Sequence, residues 1–213
     1  RVLFRSYHAE YQKNEVYRLS PTQSEQEMYA EDQKLFPAAL WSGVSEGNYW
    51  TSIVIAAVRQ NLANLEKARD LNEWCPGYFD ANTSIHQKEV CWLRMIGGLV
   101  KFESNFKPDD SFRESNGNWS VGLMALSPKE CRSYETVDLL KQPLLNLSCG
   151  IGKFADLVVR EGYISGPPQA LGAARYWSTL RPPYTQQKPD GSGVYQLGKK
   201  KEILPFTRAY RNF

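Results

Sequence analysis

Apolar residues recur at helical spacing through the middle of the chain. Trp50, Ile53, Val54, Ala57, Val58, Leu62 and Leu65 share one face, which predicts a long amphipathic helix reaching about Trp74. Ser84 and Gln87 form a capping-box pattern ahead of Trp92, Leu93, Met95, Ile96, Leu99 and Val100. The next helix therefore starts there and is buried almost all round. Ser127-Pro128-Lys129-Glu130 reads as a further helix start, with Ser as N-cap, Pro at the first helical position and Glu returning to the cap. Phe154, Leu157 and Val158 continue an apolar stripe at helical spacing, which predicts another helix ending at Gly162. The pattern fades at both ends. The first forty residues are polar, rich in Gln and Glu and broken by Pro21 and Pro37, so 1–45 is expected to be a polar extension, either helical and lying on the domain or a partly ordered arm. From 183 the chain is loop-rich through Pro183, Pro189 and Gly191-Ser192-Gly193, with a β-hairpin signal from Val194. The reading is a mainly α protein: a core domain over 46–182 and a tail, 183–213, packed on it.

Composition narrows the class. A chain of 213 residues can bury one sizeable core. Val90 to Val100 is too short for a membrane span and contains Arg94. The net charge of +3 and pI near 8.6 are modest, and no phosphate-cradling glycine loop or nucleic-acid motif is present. Neither a nucleic-acid partner nor a cofactor is expected. Lys199-Lys200-Lys201 reads as a solvated face. Six Trp, twelve Tyr and nine Phe suit a packed core and, equally, stacking on sugars. The four cysteines contain no Cys-x-x-Cys pair and have only His8 and His86 to help them, so no metal site is expected. Their even count and wide spacing suit two disulfides in an oxidising compartment. Three pairings are possible, and Cys75–Cys91 with Cys131–Cys149 is preferred; the second would close a loop worth ~3 kcal/mol. The chain starts at Arg1 rather than Met, which fits removal of a targeting segment and a secreted or periplasmic location.

The candidate chemistry centres on Glu103. It stands at the end of the buried helix and opens the string Glu103-Ser104-Asn105-Phe106-Lys107-Pro108; Gly122-Leu123-Met124-Ala125-Leu126 follows nineteen residues later. A carboxyl group held against apolar walls keeps its proton to higher pH, which a general acid at a glycosidic bond needs. These strings, with Ser127-Pro128, Asn146-Leu147-Ser148-Cys149-Gly150-Ile151 and Ala174-Arg175-Tyr176-Trp177, resemble the soluble lytic transglycosylase and goose-type lysozyme family over roughly residues 84–182.

The resemblance implies a lysozyme-like fold, a helix beginning near Pro167 that carries Tyr176, and a monomeric muramidase cutting the β-1,4 bond between N-acetylmuramic acid and N-acetylglucosamine in peptidoglycan. It implies that Glu103 is the acid, that Ser104 holds Glu103 or the substrate, that Met124 lines the cleft, and that Tyr176 and Trp177 approach the scissile sugar. Ala125 stands where that family usually has Gln, and Trp177 where it has Asn. The loop after Glu103 is longer than the family's and carries Asp109, Asp110 and Glu114. Those carboxylates are candidates for directing water, which leaves hydrolysis and anhydro-forming cleavage both open, and for favouring the cationic amine of a de-N-acetylated sugar. A rival reading is a catalytically silent glycan-binding module of the same fold.

Overall fold

The computed structural model describes residues 34–114, 117–131, 136–187, 192 and 194–213. From Lys34 onward they belong to one compact unit, Asp32–Phe213; the part of the expected N-terminal extension before Lys34 lies outside the described residues. The rest of that stretch is not an extension. A 3₁₀ turn at Phe36–Ala38 leads into Trp41, which is buried and meets Trp50 edge-on with ring centroids 6.0 Å apart.

The fold is mainly helical. Helix α1, Gly47–Leu65, is shorter than its apolar pattern suggested, and a short α2, Leu71–Trp74, follows after a break. Tertiary bonds hold the break open. The Arg69 N–H donates to Gly162 O (2.9 Å), and the Asp70 carboxylate accepts the Ile164 and Ser165 N–H groups, each at 2.8 Å.

Helix α3, Ile85–Glu103, is the central element. Its first turn is closed by the capping box of Ser84 and Gln87, as the sequence predicts, and every residue from Glu89 to Val100 is buried. Arg94, the charge inside this run, is used as a clamp. Its guanidinium donates to Ala38 O (2.8 Å) and to Phe206 O, tying the first and last described segments to α3.

After α3 comes an antiparallel hairpin, β1 (Ser111–Arg113) and β2 (Trp119–Val121), then a 3₁₀ turn at Pro128–Glu130 and a short α4, Val137–Leu140. Ser127 makes no side-chain cap, so the helix expected to start there is only that turn. Helix α5, Pro143–Glu161, packs along α1 and ends at Gly162, left-handed with φ 76°, whose N–H returns to Val158 O (2.7 Å). The disulfides Cys75–Cys91 and Cys131–Cys149 both form, with Cα separations of 6.2 and 5.9 Å.

The helix expected from Pro167 is absent. Two 3₁₀ turns, Gly172–Arg175 and Ser178–Leu180, take its place. The reason is where the amides go: Ala173 N–H donates to Tyr163 O (3.2 Å) and Ala174 N–H to Ile164 O (2.8 Å), so neither serves a helical ladder. The tail is more ordered than its composition suggested. The expected hairpin is β3 (Tyr184–Gln187) paired with β4 (Val194–Leu197), and α6, Lys200–Arg208, packs on α3. Lys200 is not solvated: it is buried and bonds Glu73 at 2.8 Å.

Candidate active site

Glu103 is the last residue of α3. Beyond it Asn105 and Phe106 are both left-handed, with φ 51° and 63°, and this stops the helix and turns the chain away. The Ser104 hydroxyl reaches Val100 O (3.2 Å) and Leu123 O (3.0 Å), pinning the helix end to the turn that follows β2. It therefore holds backbone rather than Glu103 or a ligand, a correction to its expected role.

The turn 122–126 is built around Asn146. The side chain of this buried residue accepts the Met124 N–H (2.8 Å) and donates to Val121 O (2.8 Å) and Leu140 O (2.9 Å). Gly122, at φ 74°, lies so close to Asn146 and Leu140 O that no Cβ fits. Met124 is fully buried and its sulfur lies over Gly150. It belongs to the core and does not line the cleft.

These elements line an open cavity of about 390 Å³, bounded by Glu103, Glu114, Asn118, Ser120, Ala125, Ser127, Lys129, Glu130, Arg175, Tyr176, Trp177 and Ser178. Burial raises the Glu103 carboxyl pKa from 4.5 to about 7, against a smaller opposing effect from the Thr179 hydroxyl, which donates to Glu103 Oε1. Thr179 is fixed in turn by the tail, since Lys199 N–H donates to Thr179 O at 2.6 Å. No local pattern marks Thr179, because its partner lies 76 positions away along the chain.

Glu114, at the end of β1, is exposed, and its carboxylate accepts the Ser120 hydroxyl at 2.6 Å. Of the three loop acids it alone lines the cavity; Asp109 and Asp110 stand outside it, in the stretch between the two left-handed residues and β1. Tyr176 has its phenol oxygen against the Ser127 N–H (2.8 Å), and the Lys153 ammonium, paired with Glu130 at 2.5 Å, lies 4.3 Å from its ring centre. Burial pushes the Tyr176 hydroxyl up to about 12, so the phenol stays neutral. Trp177 is 1% exposed, donates its indole N–H to Met124 O (2.8 Å) and stacks on Phe154. It forms cavity floor with its donor already used, rather than a group that grips a sugar.

No protein-family model and no curated protein matches the chain. Solved structures do. Bd0314 DslA, in a wild-type form, is 31% identical with a TM-score of 0.64 over 79% of this chain and 93% of that one. The chain belongs to the DslA family. Two DslA variants match equally well, at 30% and 31% identity with TM-scores of 0.64 and 0.63. Each has one glutamate changed to glutamine, at positions eleven apart. Glu103 and Glu114 of this chain are likewise eleven apart, and both face the one cavity.

Proposed function

We propose that the chain is a secreted or periplasmic muramidase of the soluble lytic transglycosylase and goose-type lysozyme kind, cutting the β-1,4 bond between N-acetylmuramic acid and N-acetylglucosamine. One observation carries the reading: a carboxyl group at the end of a buried helix, held protonated near neutrality, faces a polar cavity that contains a second carboxylate. Glu103 protonates the bridging oxygen as an oxocarbenium-like centre develops at the anomeric carbon. The Thr179 hydroxyl occupies Oε1 and leaves Oε2 to carry the proton. Tyr176, neutral, lies along the cavity wall. Two disulfides fit an oxidising compartment, and no helix among the described residues is long and apolar enough to cross a membrane. A silent glycan-binding module has no use for a carboxyl group whose burial costs free energy, so the same observation favours the enzyme. The test is release of soluble muropeptides from purified peptidoglycan, with mass spectrometry of the product ends. Intact reducing ends mark hydrolysis, and anhydro ends, lighter by one water, mark attack by the sugar's own hydroxyl. No release from any of a panel of walls removes the proposal.

The Thr179 contact sets a pH dependence. Glu103 acts in its protonated form, so activity falls as pH rises through about 7. The Thr179 hydrogen bond favours the anion; without it the carboxyl holds its proton to still higher pH. Thr179→Val therefore moves the alkaline limb of the pH–rate profile upward, and Thr179→Ser leaves it near the wild-type position. A Val variant with an unmoved or lowered limb would show that the contact does not act on the reacting acid.

Glu114 is also the residue on which a preference for de-N-acetylated glycan rests, because an ammonium group can form a charge-assisted hydrogen bond with it and Ala125 offers no amide to an acetamide. The wild type is expected to cleave de-N-acetylated peptidoglycan faster than the matched acetylated wall. Glu114→Gln removes that difference if Glu114 reads the amine, and slows both substrates alike if it serves only the chemistry. Faster cleavage of the acetylated wall by the wild type would rule the preference out.

A further inference from the structure

The cavity does not end at the residues that bound it. In the β1–β2 register Phe112 stands opposite Ser120, and Arg113 opposite Trp119. Side chains alternate along a strand, and directly opposed residues share a face. Phe112 and Ser120 therefore share one face. Glu114, two residues further along and bonded through its N–H to Asn118 O at 2.8 Å, continues that face with Asn118. Three of these four residues, Glu114, Asn118 and Ser120, line the cavity that holds Glu103. The fourth is Phe112.

Phe112 is 67% exposed, more than any other large apolar side chain among the described residues, and makes no ring contact there. The order of the hairpin shows which way it extends the site. Val121 of β2 bridges to Leu126, beside Ser127 in the cavity wall, while β1 is the outer strand of its two-stranded sheet. Passing from Ser127 across β2 to β1, one surface runs from polar wall to an exposed aromatic ring. Trp119, also exposed, is on the opposite face with Arg113. Exposure alone therefore does not single out Phe112; continuity with the cavity does.

We propose that Phe112 is the platform of a further glycan subsite, on which the apolar face of an additional hexosamine ring of the strand stacks while the scissile bond lies at Glu103. The inference rests on the muramidase reading and adds to it a length requirement: a strand that reaches Phe112 binds better than one confined to the cavity at Glu103. An aromatic face is negative at its centre, so it suits the axial C–H groups of a pyranose while the sugar's hydroxyls stay in water. No charge is involved, so binding through Phe112 is insensitive to salt.

The test separates binding from turnover by working in the Glu103→Gln background with purified insoluble peptidoglycan, acetylated and de-N-acetylated, in a sedimentation assay. Phe112→Ala is expected to weaken binding by about 5- to 10-fold, as suits partial burial of one aromatic side chain. Phe112→Trp should retain or tighten it, and Trp119→Ala on the other face should leave it unchanged. Near-ultraviolet circular dichroism and thermal melting check that each variant folds, which an exposed position permits. Equal binding by Glu103→Gln with and without Phe112→Ala overturns the inference, and so does equal weakening by Phe112→Ala and Trp119→Ala. Either result, alongside muropeptide release by the wild type, leaves the muramidase reading standing. If the wild type releases nothing and the Glu103→Gln chain binds neither glycan, both fall together.

Discussion

Glu103→Gln is expected to slow muropeptide release by about 10²- to 10⁴-fold, the usual worth of a general acid, while making the folded chain harder to denature above pH 7. The two effects have one cause. The carboxyl pKa is about 7 in the folded state against an ordinary 4.5, so between those values the folded state keeps a proton that the unfolded chain has released. Stability from this group is thus full below pH 4.5 and declines as pH rises through about 7. At about 1.4 kcal/mol per unit the loss is on the order of 3 kcal/mol. Glutamine fills nearly the same space, carries no titrating proton and escapes the loss. Denaturant midpoints of both proteins at pH 4.5 and pH 8 test it: the gap should open at the higher pH in favour of the glutamine variant. A pH-independent gap would show that Glu103 does not titrate from a buried site, and undiminished release would show that it is not the acid. Stability surrendered at a reacting group is a common cost of function.

Asn146→Leu is expected to destabilise the fold by about 3–5 kcal/mol, the top of the usual range for one substitution. Leucine matches the volume roughly and makes no hydrogen bonds. It leaves the Met124 N–H and the Leu140 carbonyl without their partner in the interior, and the Val121 carbonyl keeps only the Leu126 N–H. The damage is local to the site, because Asn146 shapes the turn that presents Ala125 and Ser127 to the cavity. Ser148→Ala, two positions along α5, supplies the contrast. Its buried hydroxyl has no hydrogen-bond partner among the described residues, so losing it should be close to neutral. Urea unfolding of both variants decides the matter. A loss below about 1 kcal/mol for Asn146→Leu would mean that the turn finds other partners or water.

The sequence by itself determined what depends on neighbours along the chain. The course of α3, with Glu103 as its last residue, followed from a capping box and an unbroken apolar run, and the end of α5 from one glycine able to go left-handed. The disulfide pairing was also legible, because both bridges join segments close in sequence, separated by 16 and 18 positions. Where backbone amides find partners far along the chain, local pattern misled. Ala173 and Ala174 bond to Tyr163 and Ile164, so the stretch where the resemblance implied a helix forms 3₁₀ turns; Arg69 bonds to Gly162, so the first helix ends earlier than its apolar pattern. The same rule governs the site. Ser104, Met124 and Trp177 carry the residue types of a binding cleft, yet packing commits their polar atoms and surfaces to the core. Thr179 and the face shared by Phe112, Ser120 and Glu114 were decided only by tertiary structure, since a contact across 76 positions and a strand register are properties of the folded chain.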